Sequence, residues 1–160
     1  DGMKDLLNAA EMKAVDQRSI EEYGIPSLIL MERAALEVVK RAGELLEPGL
    51  SGNEALEHGP GRERLLKERK RKTVWAVCGL GNNGADGVAA ARMLTLQGFS
   101  SVILLPSLEG KRSRELEVQL SVAEKLGIPI LTLGDPLPEA CDLILDAVFG
   151  IGLKAGGGRL

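Results

Sequence analysis

Apolar positions follow two regimes along this chain, and the change comes at Thr73. Before it the spacing is helical. Asn8 and Glu11 have the separation of a capping box, with Asn in place of Ser or Thr. They predict a helix from about Ala9 to Tyr23, stopped by Gly24. After the turn Ile25-Pro26-Ser27, the residues Leu28, Met31, Ala35, Val38, Ala42 and Leu45 share one face of a second helix. Pro48-Gly49 ends it. From Thr73 onward, short buried runs alternate with helical segments. The reading is a strand Thr73–Cys78, a loop Gly79–Gly84, a helix Ala85–Gln97 closed by Gly98, and a strand Ser101–Pro106. A helix capped by Ser113 then runs to Leu126, followed by a strand Ile128–Leu133 and a loop marked by Pro136 and Pro138. A last strand within Asp142–Phe149 leads into Gly150-Ile151-Gly152.

Strands alternating with helices imply a parallel sheet with right-handed crossovers. The expected fold is therefore α/β: a Rossmann-like, doubly wound, mainly parallel sheet with two N-terminal helices, in three α/β/α layers. The first four strands are expected in the order 3-2-1-4. At 160 residues the length suits one domain, 1–160, with residues 47–72 as a linker or surface excursion. That stretch ends in the run Arg62–Lys72, with seven basic and two acidic residues; the remainder carries 13 basic and 21 acidic. The run has no aromatic for base stacking, and is read as a solvated helix dispensable for ligand binding rather than a nucleic-acid patch. His58, the only histidine, lies in the excursion and has no expected catalytic part.

Aromatics make up only 2% of the chain, so the core is expected to be aliphatic. Net charge −3 gives no strong pull toward nucleic acid or membrane. Cys78 and Cys141 form no CxxC or Cys/His cluster and are read as buried, reduced thiols of a cytoplasmic protein. No apolar run is long enough to span a bilayer.

Candidate chemistry sits in two loops. Gly79-Leu80-Gly81-Asn82-Asn83-Gly84 contains G-x-G-x-x-G after a strand and before a helix. The acidic residue of the full dinucleotide fingerprint is absent from the end of the second strand, Leu104-Leu105-Pro106-Ser107, which disfavours a hydride-transfer dehydrogenase. Asn82, Asn83 and Asp86 crowd the helix mouth. They are either turn formers and caps or groups facing a ligand. Asp146 closes the apolar run Leu143-Ile144-Leu145, where a carboxylate is costly unless paired, solvated or bound to a cation. No Arg or Lys lies within seven residues of it, so no local ion pair is expected. In a doubly wound sheet the crevice opens beyond the carboxyl ends of strands one and four, which brings Gly79–Asp86 to face Asp146–Gly152. Oxygen donors there suit a hard cation.

At these residues the chain resembles the NAD(P)H-hydrate epimerase family, the YjeF amino-terminal domain. Three blocks carry the likeness. The first runs from Ala10-Glu11-Met12 through Gly24-Ile25-Pro26-Ser27 to Met31-Glu32-Arg33-Ala34-Ala35, the second is Cys78–Gly87, and the third is Asp142–Leu153. The resemblance implies an isomerase that interconverts R and S forms of hydrated NADH and NADPH (NADHX and NADPHX). An ADP/ATP-dependent NAD(P)HX dehydratase is its functional partner or fused domain. It implies a potassium ion held by Asn83 and Asp146, and substrate along Asn82, Asn83, Gly84, Ala85 and Asp86 and along Gly150, Ile151, Gly152, Leu153, Lys154, Ala155 and Gly156. Asp146 is the expected catalytic residue, and a homodimer is compatible. Arg33, Ala35 and Ala85 depart from the family's Asn, Gly and Gly, and Lys154–Leu160 departs from its S-R-x-x-x-G. The family continues to a V-D-I-P-S-G-like segment beyond the point reached here, so residues 1–160 alone are expected to be weakly active or inactive. A noncatalytic binding module of the same fold is the alternative.

Overall fold

The computed structural model describes residues 9–48 and 60–156. Helix α1 spans Ala9–Glu21 and α2 spans Ser27–Leu46; α3, Pro60–Arg71, lies inside the expected excursion. Then come β1 (Thr73–Cys78), α4 (Asn82–Leu96), β2 (Ser100–Leu105), α5 (Arg114–Lys125), β3 (Ile130–Thr132), β4 (Leu143–Ala147) and β5 (Gly152–Ala155). The sheet order is β3-β2-β1-β4-β5. The first four strands run parallel, in the expected 3-2-1-4 order, and β5 pairs antiparallel with β4. The fold is α/β. Asn8, Gly49 and His58 lie outside the described residues.

Alternation along the strands divides the core in two. Val74, Ala76 and Cys78 of β1 join Ile103, Leu105, Leu143, Leu145 and Ala147 on the face that packs against α2, α4 and α5. Trp75 pairs in register with Val102 and Ile144. On that opposite face Trp75, Val102 and Leu104 form a smaller cluster, backed by Leu137 and Cys141 from the loop before β4. Helix α4 lies at the centre of the main core, with Gly84, Ala85, Gly87, Val88, Ala89, Ala90, Ala91 and Leu94 all buried. Apart from Val88 and Leu94 these buried positions are Gly or Ala, which suits a helix crowded by the sheet on one side and by α2 and α5 on the others.

Helix α2 buries Met31, Ala35, Val39, Ala42 and Leu46. Of the expected stripe, Leu28 and Val38 pack part-buried against the same core, whereas Leu45 is 54% exposed, which corrects that one position. A polar network fastens the three helices. Arg92 Nη2 of α4 donates to Glu32 Oε1 of α2, Arg92 Nε donates to Gln119 Oε1 of α5 at 3.2 Å, and Gln119 Nε2 returns to Glu32 Oε1 at 3.2 Å. Glu32 in the Met31–Ala35 block therefore has a packing role.

The basic run is helical, but part of it is not solvated, which corrects the sequence reading. Arg69 makes a bidentate pair with Glu47, Nε at 3.0 and 3.1 Å and Nη2 at 2.8 Å, with both side chains 7% exposed. Its Nη1 donates to Gln97 O, and its guanidinium lies 5.1 Å from the Phe99 ring centroid. Lys72 Nζ donates to Leu46 O. Two of the run's cations thus pin the end of α2 to the start of β1 and β2, while Lys70 and Arg71 stay exposed. A local count of charges carries no information about partners 22 residues away.

Cys78 is buried and free, and burial pushes its thiol up to about 12, which makes it unreactive. Cys141 is also free but only half-buried. No helix among the described residues is long and apolar enough to cross a membrane.

Candidate functional site

The parallel pair β1 and β4 ends at Cys78 and Ala147, which face each other in register. Gly79 N donates to Ala147 O at 3.0 Å. A side chain on Gly79 would come within 3.1 Å of Val148 O. The loops after β1 and β4 are therefore in direct contact at the topological switch point, where open α/β sheets form their ligand crevice.

Helix α4 starts three residues earlier than expected, at Asn82, with Gly81 as N-cap in extended conformation and no side-chain cap. Ala85 N donates to Gly81 O at 3.1 Å. The amides of Asn82, Asn83 and Gly84 precede that first helical bond, and such groups attract an anion or an oxygen-rich ligand. Asn82 and Asn83 are exposed, Gly84 and Ala85 are buried, and Asp86 is half-buried. Burial, and secondarily the charge of Asp16 on α1, push the Asp86 carboxyl up to about 6. A carboxyl whose pKa rises on folding binds its proton more tightly in the folded state. The folded state is therefore favoured most below the ordinary carboxylate range and loses that advantage as pH rises through about 6. Asp16 sits 70 residues before Asp86 in sequence, so no motif could have signalled it.

Asp146 stands at the carboxyl end of β4, half-buried, with its side chain 41% exposed. Its Oδ2 accepts from Lys154 Nζ at 3.2 Å, and Val148 N approaches Oδ1 at 3.4 Å. The expectation that no local ion pair is open to Asp146 is corrected here. Lys154 lies eight residues on, and the β4–β5 hairpin folds it back. The hairpin carries Ile151, Gly152 and Leu153 toward the second half of α2, where they line an open groove with Val38, Arg41, Glu44 and Leu45. Gly150, Gly152, Lys154 and Ala155 are exposed, and Gly156 is half-buried against the Cys141 carbonyl. The structure thus brings the Gly79–Asp86 loop to the end of β4 and takes Ile151–Leu153 toward α2. Among the described residues no group of three or more His, Cys, Asp or Glu could hold a metal ion.

Residues 27–157 match the family described as YjeF-related protein N-terminus. The chain belongs to that family. The match begins at the first residue of α2 and covers every strand, while α1 precedes it. Among curated relatives, the NAD(P)H-hydrate epimerase of Weissella koreensis is 38% identical over 95% of this chain, which covers 58% of the relative's own length. That of Oenococcus oeni is 41% identical over 92% of this chain and 60% of its own. The chain therefore spans about 60% of the relatives it matches. The crystal structure of yeast ynu0 superposes with a TM-score of 0.64 over 91% of this chain and 57% of its own, at 24% identity, a likeness of fold.

Proposed function

We propose that this chain forms the substrate-facing part of an NAD(P)H-hydrate epimerase. The observation that carries the reading is the contact between the Gly79–Asp86 and Asp146–Gly152 loops at the carboxyl ends of adjacent parallel strands, in a family whose curated relatives bear that activity as their name. Substrate lies along Asn82–Asp86 and the turn from Gly150 to Gly156.

Epimerisation at C6 of the hydrated ring requires loss and return of a hydroxyl. Asp86 supplies the acid: held up to about 6, it keeps a protonated minority at neutral pH, and that form gives its proton to the departing hydroxyl. The C6–O bond breaks, water leaves, and the ring nitrogen lone pair forms the cationic intermediate. Asp146 offers that cation a carboxylate. Water then attacks C6 from the opposite face and loses its proton to solvent, from which Asp86 is reprotonated. The S form goes on to the dehydratase partner, in the cytoplasm. A potassium ion at Asn83 and Asp146 would add a fixed positive charge for substrate oxygens, but it would have to share the Asp146 carboxylate with Lys154.

The test follows equilibration of R and S NADPHX by chromatography. The protein used is residues 1–160 joined to the remaining C-terminal part of the Weissella koreensis relative, beside residues 1–160 alone. The joined protein is expected to accelerate equilibration, and Asp86→Asn to lower its rate about 100-fold or more, the scale of a lost acid/base group. The 160-residue chain is expected to be slow. A folded joined protein without acceleration would defeat the reading in favour of a binding module.

A further inference from the structure

In the β4–β5 pair, Ile144 stands opposite Lys154 and Asp146 opposite Gly152. Residues directly opposite share a face, as do residues two apart on one strand. Asp146 and Lys154 are therefore diagonal neighbours on the Trp75 side of the sheet. Gly152 puts no side chain between them, and a lysine stem spans the distance. Lys154 Nζ sits 3.2 Å from Asp146 Oδ2.

We infer that the Lys154 ammonium is the resident cation of Asp146, filling the place a potassium ion would otherwise take. This rests on the reading of Asp146 as the cation-holding residue of the proposed site. An ammonium is a compact single positive charge, and a potassium ion against the same carboxylate oxygen would meet its repulsion. The hairpin also tethers the ammonium, so its local concentration is set by the chain rather than by bulk salt. The protein should then be indifferent to which monovalent cation surrounds it. Lys154 is 69% exposed, so removing its charge leaves the fold in place and opens Asp146 to an ion from solution.

The experiment melts the 160-residue chain in potassium chloride and in choline chloride at equal ionic strength. The parent chain is expected to shift by less than about 1 °C between the two salts, within the effect of salt on exposed charges. Lys154→Met and Lys154→Gln are each expected to melt about 3 °C higher in potassium, the size of one weakly bound ion on a chain of this length. Lys154→Arg, which keeps the charge, should restore indifference, and adding Asp146→Asn to Lys154→Met should erase the potassium shift. A potassium shift in the parent as large as in Lys154→Met would overturn the inference. So would its absence from both neutral variants. No hydrated nucleotide enters the experiment, so a failed epimerase assay does not bear on its outcome.

Discussion

Replacing Gly84 with alanine is expected to destabilise the chain by about 3 kcal/mol or more, the upper range for overpacking. An added Cβ would lie 1.8 Å from Gly79 O and 2.7 Å from Gly79 C. Both obstacles are backbone, so neither can swing aside. Gly79 is itself held by its bond to Ala147 O and by Val148 O behind it. Helix α4 cannot retreat either, because Ala85, Val88, Ala89, Ala90, Ala91 and Leu94 are all fully buried. The clash must separate α4 from the end of β1, which is also the floor of the crevice. Against a total stability of about 5–15 kcal/mol, a thermal melt followed by circular dichroism should show a large loss. Gly81→Ala is the control: its φ is −100°, no atom lies within 4 Å of the added carbon, and its melt should stay near the parent's. Equal effects of the two changes would show that the close approach at Gly84 does not matter.

Arg69→Met should cost about 3–5 kcal/mol, because it leaves the Glu47 carboxylate buried without its partner. Both side chains are 7% exposed and joined by three hydrogen bonds, so solvent cannot take over. The double change Arg69→Met with Glu47→Leu should recover most of the loss, since a buried pair exchanged for apolar groups is often neutral. Lys70→Met and Arg71→Met, at exposed positions of the same run, should each stay within about 0.5 kcal/mol. Chemical denaturation of the parent and the four variants measures this directly. A loss at Arg69 no larger than at Lys70 would mean that the pair is solvated after all.

Much of this arrangement was legible in the order of residues. Apolar runs of strand length separated by helical segments gave β1 to β4 and their 3-2-1-4 order. Ser113 was recognised as the cap of α5, and its Oγ accepts from Leu116 N. What escaped had partners distant in sequence or lacked local contrast. Strand β5 is four residues, Gly152–Ala155, with no alternating pattern, and without it the Lys154 partner of Asp146 could not be placed. The start of α4 lies three residues before the expected one because Asn and Gly resemble loop as much as first turn. The effect of Asp16 on Asp86, and the pairing of Arg69 with Glu47, depend on how separate helices dock. The motif makes Gly84 a ligand-facing glycine, and its packing against Gly79 gives the more immediate reason for the missing side chain.

The crevice between the ends of β1 and β4 is expected to receive the hydrated nicotinamide nucleotide. Backbone amide NMR of the 160-residue chain titrated with NADPHX tests it most directly. Saturable shifts are expected at Asn82–Asp86 and Gly150–Gly156, with α3 silent. Shifts confined to α3, or none with increasing nucleotide, would contradict this placement.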